Sequence, residues 1–197
     1  MFVQIIDGRT SDAAALRERG EDWQRDLRPG AAGFLGVTAG VAADGRAVTI
    51  ARFESAAAAR ANSERAEQSE WWKGTAKLYD GEPSFVESSD VTEWMGGGSD
   101  QAGFVQVMKS TGVDRAKIEQ MDAAMEPYMG ARPDLLGGFR VWTGADACVD
   151  VAYFTSEAEA RQGETAEMPT ELADVMAGMG DAMGTTEYID LTDLQMR

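Results

Sequence analysis

The stretch QSEWWKGTAKLYDG, residues 68–81, holds side chains suited to engaging a flat ring. Trp71 and Trp72 are neighbours. Adjacent helical side chains diverge by about 100°, so the pair cannot share the centre of one narrow stripe. Trp72, Ala76 and Tyr79 recur at i, i+4 and i+7 and read as a core stripe. Trp71, with Thr75 and Leu78, lies on the adjoining face, where it either lines a pocket or meets another element; tryptophan serves both uses. Just upstream, RANSERAEQ places Asn62 and Arg65 beside the tryptophans. Either they cap helix ends, or an amide and a guanidinium are directed at an oxygenated aromatic molecule. Arg52, in AVTIARFE, needs an anionic partner such as a phenolate if it faces inward, and is a solvated strand residue if it faces outward. Gln4 and Gln106 sit mid-strand in two copies of FVQ. A buried amide must be hydrogen-bonded, so each stitches backbone or points into a pocket. Trp23 falls on the inner stripe of the first helix.

What is missing narrows the chemistry. The chain has no histidine, so no imidazole can ligate haem or zinc, and no Ser-His or Cys-His pair exists. No acidic spacing resembles a calcium loop, and no glycine-rich phosphate-binding motif appears. The single cysteine, Cys148, allows no internal disulfide and reads as an inert core residue of a reducing compartment. The formal charge of −16, with no Lys/Arg cluster, disfavours nucleic acid and anionic membrane surfaces as partners. The N-terminus lacks a basic segment followed by a long apolar one, and the longest uncharged run, GAAGFLGVTAGVAA at 30–43, is too short and glycine-rich to span a bilayer. A cytoplasmic protein is expected.

The elements that must position these residues occur twice. FVQ at 2–4 returns at 104–106, RPGAAGF at 28–34 as RPDLLGGF at 132–139, ARFES at 51–55 as AYFTS at 152–156, and DVTE at 90–93 as DLTD at 190–193. The offset stays near ~100 residues throughout, the mark of an internal duplication. Two modules are expected, 1–94 and 102–197, joined by a glycine-rich linker at 95–101. Each reads as a strand, a helix, a hairpin, a broken second helix and a last strand. In the first module the strand is 2–7, the helix 12–27 with Ser11 or Asp12 as N-cap, the hairpin turn Asp44-Gly45, the helical pieces 56–62 and 69–79, and the last strand 84–92. In the second, the helix spans about 114–130, the helical pieces 157–163 and about 171–183, and the last strand 186–192. This β-α-β-β-α-β order is the ferredoxin-like split βαβ arrangement, an α+β fold. Phe2 and Ile6 make one face of the first strand apolar and Val3 and Ile5 the other, so both sheet faces need cover. Two tandem modules satisfy this by packing sheet to sheet as an intrachain barrel.

The element order, with RPGAAGFLGVTAGV…DGRAVTIARFES and ARANSERAEQSEWWKGTAKLYDGEPSF, resembles the dimeric α/β-barrel superfamily, in particular antibiotic-biosynthesis-monooxygenase-like proteins. The resemblance covers nearly the whole chain as a tandem duplication. Its second stretch looks like an actinobacterial branch whose members mostly lack an assigned activity. Members with known activities oxidise polyphenols with O2 and no cofactor or metal, degrade haem, or act as isomerases, decarboxylases or binding proteins. Their ligand lies between the helices and the outer sheet face. In the haem-degrading members an amide on the first strand and a tryptophan on the second helix accompany an iron-ligating histidine. Gln4 and Trp71 or Trp72 match the first two, and no residue here matches the third.

Two functional readings follow. One is a cofactor-independent monooxygenase acting on a phenolic or polyketide-like aromatic substrate. Arg52 or Arg65 supplies positive charge, Gln4 and Asn62 hydrogen bonds, Trp71 and Trp72 the stacking wall, and Asp, Glu or Tyr79 the base. The other is a non-catalytic module of the same fold that holds a small hydrophobic or aromatic molecule. A third, an interaction role with Trp71 and Trp94 as anchors, ranks lower. All three expect no cofactor or metal, and a monomer with an internal pseudo-dimer or a weak homodimer. The copies differ at the expected site: Trp72 pairs with Val175 and Ala76 with Met179, so the aromatic wall belongs to the first copy. Met121, Met125, Met129, Met176, Met179 and Met183 suggest an adaptable core in the second.

Overall fold

The first strand, FVQIIDGR (β1, Phe2–Arg9), is apolar on both faces and is buried along most of its length. The computed structural model describes residues 1–165 and 182–196. These form two units, one of residues 1–91 with 191–196 and one of the described residues between 92 and 190.

In the first unit β1 lies between two neighbours. Ile5 pairs with Ile50 of β3 (Arg46–Phe53) and with Val86 of β4 (Ser84–Ser88), both antiparallel. β3 pairs in turn with β2 (Phe34–Val41) through the Asp44-Gly45 turn. Gly45 holds φ +84°, and the Asp44 carboxylate accepts the Arg46 N–H at 3.0 Å. That is the chemistry a tight hairpin demands of an Asp-Gly pair. The sheet order β2-β3-β1-β4 is the ferredoxin-like order, extended at its β2 edge by a short strand, β10 (Gln195–Met196).

The first helix, α1 (Ala13–Asp22), starts where Asp12 accepts the Ala15 N–H at 3.0 Å. It does not run regularly to residue 27 as its spacing suggests. From Trp23 to Leu27 it widens into a π-turn closed by the Arg28 N–H on the Trp23 carbonyl, then tightens over Arg28–Gly30. The wider turn brings both Trp23 and Leu27 into the core, where neither is more than 9% exposed. The second helical region breaks into α2 (Ala56–Ser63) and α3 (Ala66–Thr75).

The last strand of the module also differs from its expected span. Ser88 accepts the Asp90 N–H at 3.0 Å, a local turn that ends β4. The chain resumes as β5 (Val91–Trp94), which pairs in the other sheet.

The second unit repeats the plan. Its sheet order is β5-β7-β8-β6-β9, with β6 at Phe104–Thr111, β7 at Leu135–Trp142, β8 at Ala147–Phe154 and β9 at Thr185–Leu191. Helix α4 (Arg115–Met125) follows β6, and α5 (Glu157–Glu164) follows β8. The likeness of the two units extends to an irregularity. Phe34↔Phe53 is followed by Gly36↔Arg52, and Leu135↔Phe154 by Gly137↔Tyr153, the same bulge in both sheets. The sequence pairing of Trp72 and Ala76 with Val175 and Met179, together with Met176, falls outside the described residues. Among the described residues no helix is long and apolar enough to cross a membrane, and no cluster of three or more Cys, Asp or Glu side chains stands ready for a metal ion.

Candidate functional site

In the first unit, strand alternation sends Gln4, Ile6, Val37, Ala39, Val41, Thr49, Ala51 and Phe53 to one sheet face. Together with α1, the π-turn and α3 they line a partly open cavity of about 550 Å³. That is the size of a site for a small organic molecule. Trp23, Phe34, Phe53, Trp71, Trp72 and Tyr79 supply aromatic wall, and Gln4, Thr49, Asn62, Gln68 and Thr75 supply neutral polar groups. Of the residues singled out by sequence, Gln4, Trp23, Asn62, Trp71, Trp72 and Tyr79 meet here. Arg52 and Arg65 do not line it.

Trp71 and Trp72 diverge as helical neighbours must, their ring centroids 6.3 Å apart. Trp71 is fixed at its edge and its face. Its indole Nε1–H donates to the Arg19 carbonyl at 2.9 Å, and the Arg19 guanidinium lies 5.6 Å from its ring centroid. Arg19 closes the loop by donating to the Trp71 carbonyl at 2.8 Å and to the Thr75 hydroxyl at 3.3 Å. This reciprocal clamp ties α1 to α3. Trp71 then packs on Trp23, Leu27 and Ala31, while Trp72 packs on Ile6, Ala47 and Tyr79. Phe85 meets Trp72 edge-on at 5.2 Å. Both tryptophans are half-buried, contributing to core and to cavity wall at once.

Tyr79 is buried against Gly8, where a Cβ would sit 2.6 Å from its ring. Burial pushes its phenol above the usual tyrosine value, the Thr49 hydrogen bond partly offsets this, and the nearby Asp7 carboxylate adds to it. At neutral pH Tyr79 is therefore a neutral phenol, a hydrogen-bonding group and not a base.

Of the two uses the sequence left open, Arg65 takes the capping one, while Asn62 lines the cavity. Arg65 Nη1 donates to the Leu27 carbonyl and to Asn62 Oδ1, each at 3.0 Å. Its Nε and Nη2 reach Glu67 at 3.1 and 2.9 Å. The guanidinium thus caps the π-turn and the α2–α3 break from outside the cavity. Asn62 is buried and spends its oxygen on Arg65; its amide N–H groups have no partner among the described residues and remain available on the cavity side. Opposite, Gln68 Oε1 accepts the Trp23 Nε1–H at 2.6 Å. Gln4 lines the cavity and donates to Glu87 at 2.7 Å, leaving its oxygen as an acceptor. Arg52 pairs with Val3 and Gly36 and so takes the other sheet face, away from the cavity-lining Thr49, Ala51 and Phe53.

One wall of the cavity has almost no forewarning in the residue pattern. Asp193, Leu194, Gln195 and Met196, from the far end of the chain, also line the cavity. Nothing local in TDLQMR announces this. The one signal is Gly20, a glycine inside a helix at a cost of about 1 kcal/mol relative to alanine, which makes sense only if something must approach it.

The shared bulge allows a position-by-position comparison with the second unit. Val37 corresponds to Gly138, Ala39 to Arg140, Val41 to Trp142 and Thr49 to Asp150. Gly138 is filled over by the Trp94 indole, which a Cβ there would overlap. Arg140 is buried and reaches Asp122 of α4 at 2.6 Å. It also lies 2.8 Å from Asp150, without the alignment of a hydrogen bond. Trp142 packs with Val113, Ile118 and Cys148. Burial of Asp150 and repulsion from Asp122 outweigh the attraction of Arg140, and its carboxyl is pushed up to about 6. Burial, with Asp150 alongside, pushes the Cys148 thiol up to about 12, which leaves it unreactive. The layer that lines a cavity in the first unit is occupied by bulk and buried charge in the second.

No protein-family model and no curated protein matches this chain. Solved structures do. A candidate monooxygenase from Fusobacterium nucleatum superposes with a TM-score of 0.78 at 10% identity, covering 100% of this chain and 93% of its own. An anthrone oxidase-like protein matches at 0.64 and 8% identity, covering 100% and 92%. A ferredoxin-fold protein from Listeria monocytogenes, described as related to antibiotic biosynthesis monooxygenases, matches at 0.51 and 9%, covering 98% and 94%. At identities this low the likeness establishes the fold alone: a whole-chain α+β architecture of ferredoxin-like modules, shared with proteins of the antibiotic-biosynthesis-monooxygenase kind.

Proposed function

We propose that the first unit binds a flat, oxygenated aromatic molecule and oxidises it with O2, without a cofactor. The observation that carries this reading is the cavity of about 550 Å³, walled by aromatic rings and dotted with neutral amides and hydroxyls, with Arg17, Glu21, Arg25, Arg28 and Asp193 also along its lining. Rings stack on rings, and the free N–H groups of Asn62 suit a phenol, enol or quinone oxygen better than they suit a cation. A phenol or anthrone fits the balance: one oxygen atom of O2 enters the ring as the quinone carbonyl, the other leaves as water, and the substrate supplies the four electrons. The enzyme's part is to desolvate and orient the substrate and to stabilise its oxyanion. The structural neighbours bearing monooxygenase and anthrone oxidase-like names support the reading.

A second reading, binding without turnover, is favoured by the ionisable groups. Tyr79 is held neutral, Asp193 is paired with Arg17, and Glu21 is exposed. Among the described residues no lining carboxylate is placed as a base, so turnover relies on the substrate's own acidity. Titrating the protein with hydroxylated anthrones while recording tryptophan fluorescence and O2 uptake separates the two. Quenching with stoichiometric O2 consumption supports oxidation, and quenching without it supports binding alone. Absence of quenching by any member of such a series refutes both.

A further inference from the structure

The attachments seen at the far wall of the cavity are light ones. Gln195 pairs with Ala39 and Met196 with Thr38 on the edge of β2, a ladder two residues long. Leu194 and the Asp193 carbonyl rest on Gly40. Across the gap, Asp193 forms an ion pair with Arg17 of α1, and both side chains are more than a third exposed. The Gln195 amide donates to the Arg17 carbonyl at 2.8 Å, and its oxygen lies so close to Gly20 that a Cβ there would overlap it. Exposed ion pairs contribute little, and short terminal strands open readily.

The duplicate shows what a permanent closure looks like. Gly20 and Ala39 correspond to Asp122 and Arg140. In the second unit helix and sheet are bridged at this point by a charge pair, its Arg140 end buried. In the first unit both positions are small, and the bridge is Gln195, borrowed from the chain terminus.

We propose that Asp193–Met196 is a releasable strap over the cavity, latched by Gln195 on Gly20, and that ligands reach the Trp71–Trp72 wall when it lifts. What passes beneath it rests on the aromatic-ligand reading above; that the strap governs access does not. Gly20→Ala removes the seat of the latch while raising helix propensity, so it unlatches the strap without weakening α1. Because the Gln195 amide is the far end of a flexible side chain, it can swing aside. A chain ending at Thr192 removes the strap altogether.

Two readouts test the idea. Acrylamide quenching of tryptophan fluorescence needs no ligand: Trp23, Trp71 and Trp72 become more accessible than in the parent, while Trp94 and Trp142 form a constant background. The quenching constant is expected to rise at least twofold in the shortened chain, with Gly20→Ala between it and the parent. In stopped flow, 1,8-dihydroxyanthraquinone should dissociate about tenfold faster from Gly20→Ala than from the parent. Quenching and dissociation unchanged in Gly20→Ala would overturn the latch, and that full-length variant decides the matter if the shortened chain fails to fold. Raised acrylamide quenching with no binding of the anthraquinone to the parent protein would support the strap and overturn the aromatic-ligand reading.

Discussion

Trp71 is held by an edge bond and a face contact to one residue, Arg19, and this makes its two roles separable. Trp71→Phe keeps a ring in the wall and deletes the 2.9 Å bond to the Arg19 carbonyl. It should lower stability by about 1 kcal/mol in urea unfolding and leave aromatic binding within a factor of a few. Asn62→Asp runs the other way. It keeps an acceptor for Arg65 and removes the N–H groups on the cavity side, so ligand affinity should fall about tenfold, roughly 1.4 kcal/mol, with the melting temperature little changed. Isothermal titration alongside a thermal melt reads both. Cys148, buried with its thiol pushed up to about 12, should resist a thiol reagent at pH 8 in the folded protein and react once urea unfolds it.

At the scale of elements, the duplicated modules bridge helix to sheet by different means, and the second does so with charge. Arg140 faces two carboxylates, Asp122 and Asp150, so one negative charge is left over in a mostly buried site. Asp150, the more buried of the two, carries the consequence, with a folded-state value near 6 against an ordinary 3.8. The native state therefore takes up a proton at a pH where the unfolded chain does not. The contribution of this group favours folding as pH falls from 6 towards 4 and opposes it above 6, by at most about 3 kcal/mol. Asp150→Asn should accordingly be more stable than the parent at pH 8, by about 1–3 kcal/mol. The gain should shrink to about a third of that near pH 4.5, as urea unfolding at the two pH values would show.

For the whole molecule the governing quantity is the charge of −16. Many individual ion pairs are local and exposed, such as Arg25–Asp22 and Lys73–Glu70, and weigh little. Self-repulsion of the excess carboxylates is spread over the surface and is screened by salt. Raising NaCl from about 0.02 M to about 0.5 M, where the Debye length drops to a few ångströms, should raise the melting temperature by several degrees. A fall instead would mean that the ion pairs outweigh the repulsion.

The element order, the duplication and the Asp-Gly hairpin were legible in the residues because each rests on local physics. Strand alternation, turn chemistry and N-caps act within a few residues, and the tandem copies repeat them. Helical periodicity separates Trp71 from Trp72, but it does not foretell that Trp23, from the π-turn, and Tyr79, in extended backbone past the end of α3, line the same cavity. Periodicity cannot choose between the two faces of a strand that is apolar on both, so the side taken by Arg52 came only with the register of β3. It also has no means to foresee a π-turn, which closes through a hydrogen bond one residue longer than a helix assumes. Least legible was the strap. Gln195 and Gly20 are separated by most of the chain, and their meeting depends on a terminal strand joining the edge of β2. Contacts of that range exist only once the sheet has assembled, which is why the far wall of the cavity was a matter for the tertiary structure alone.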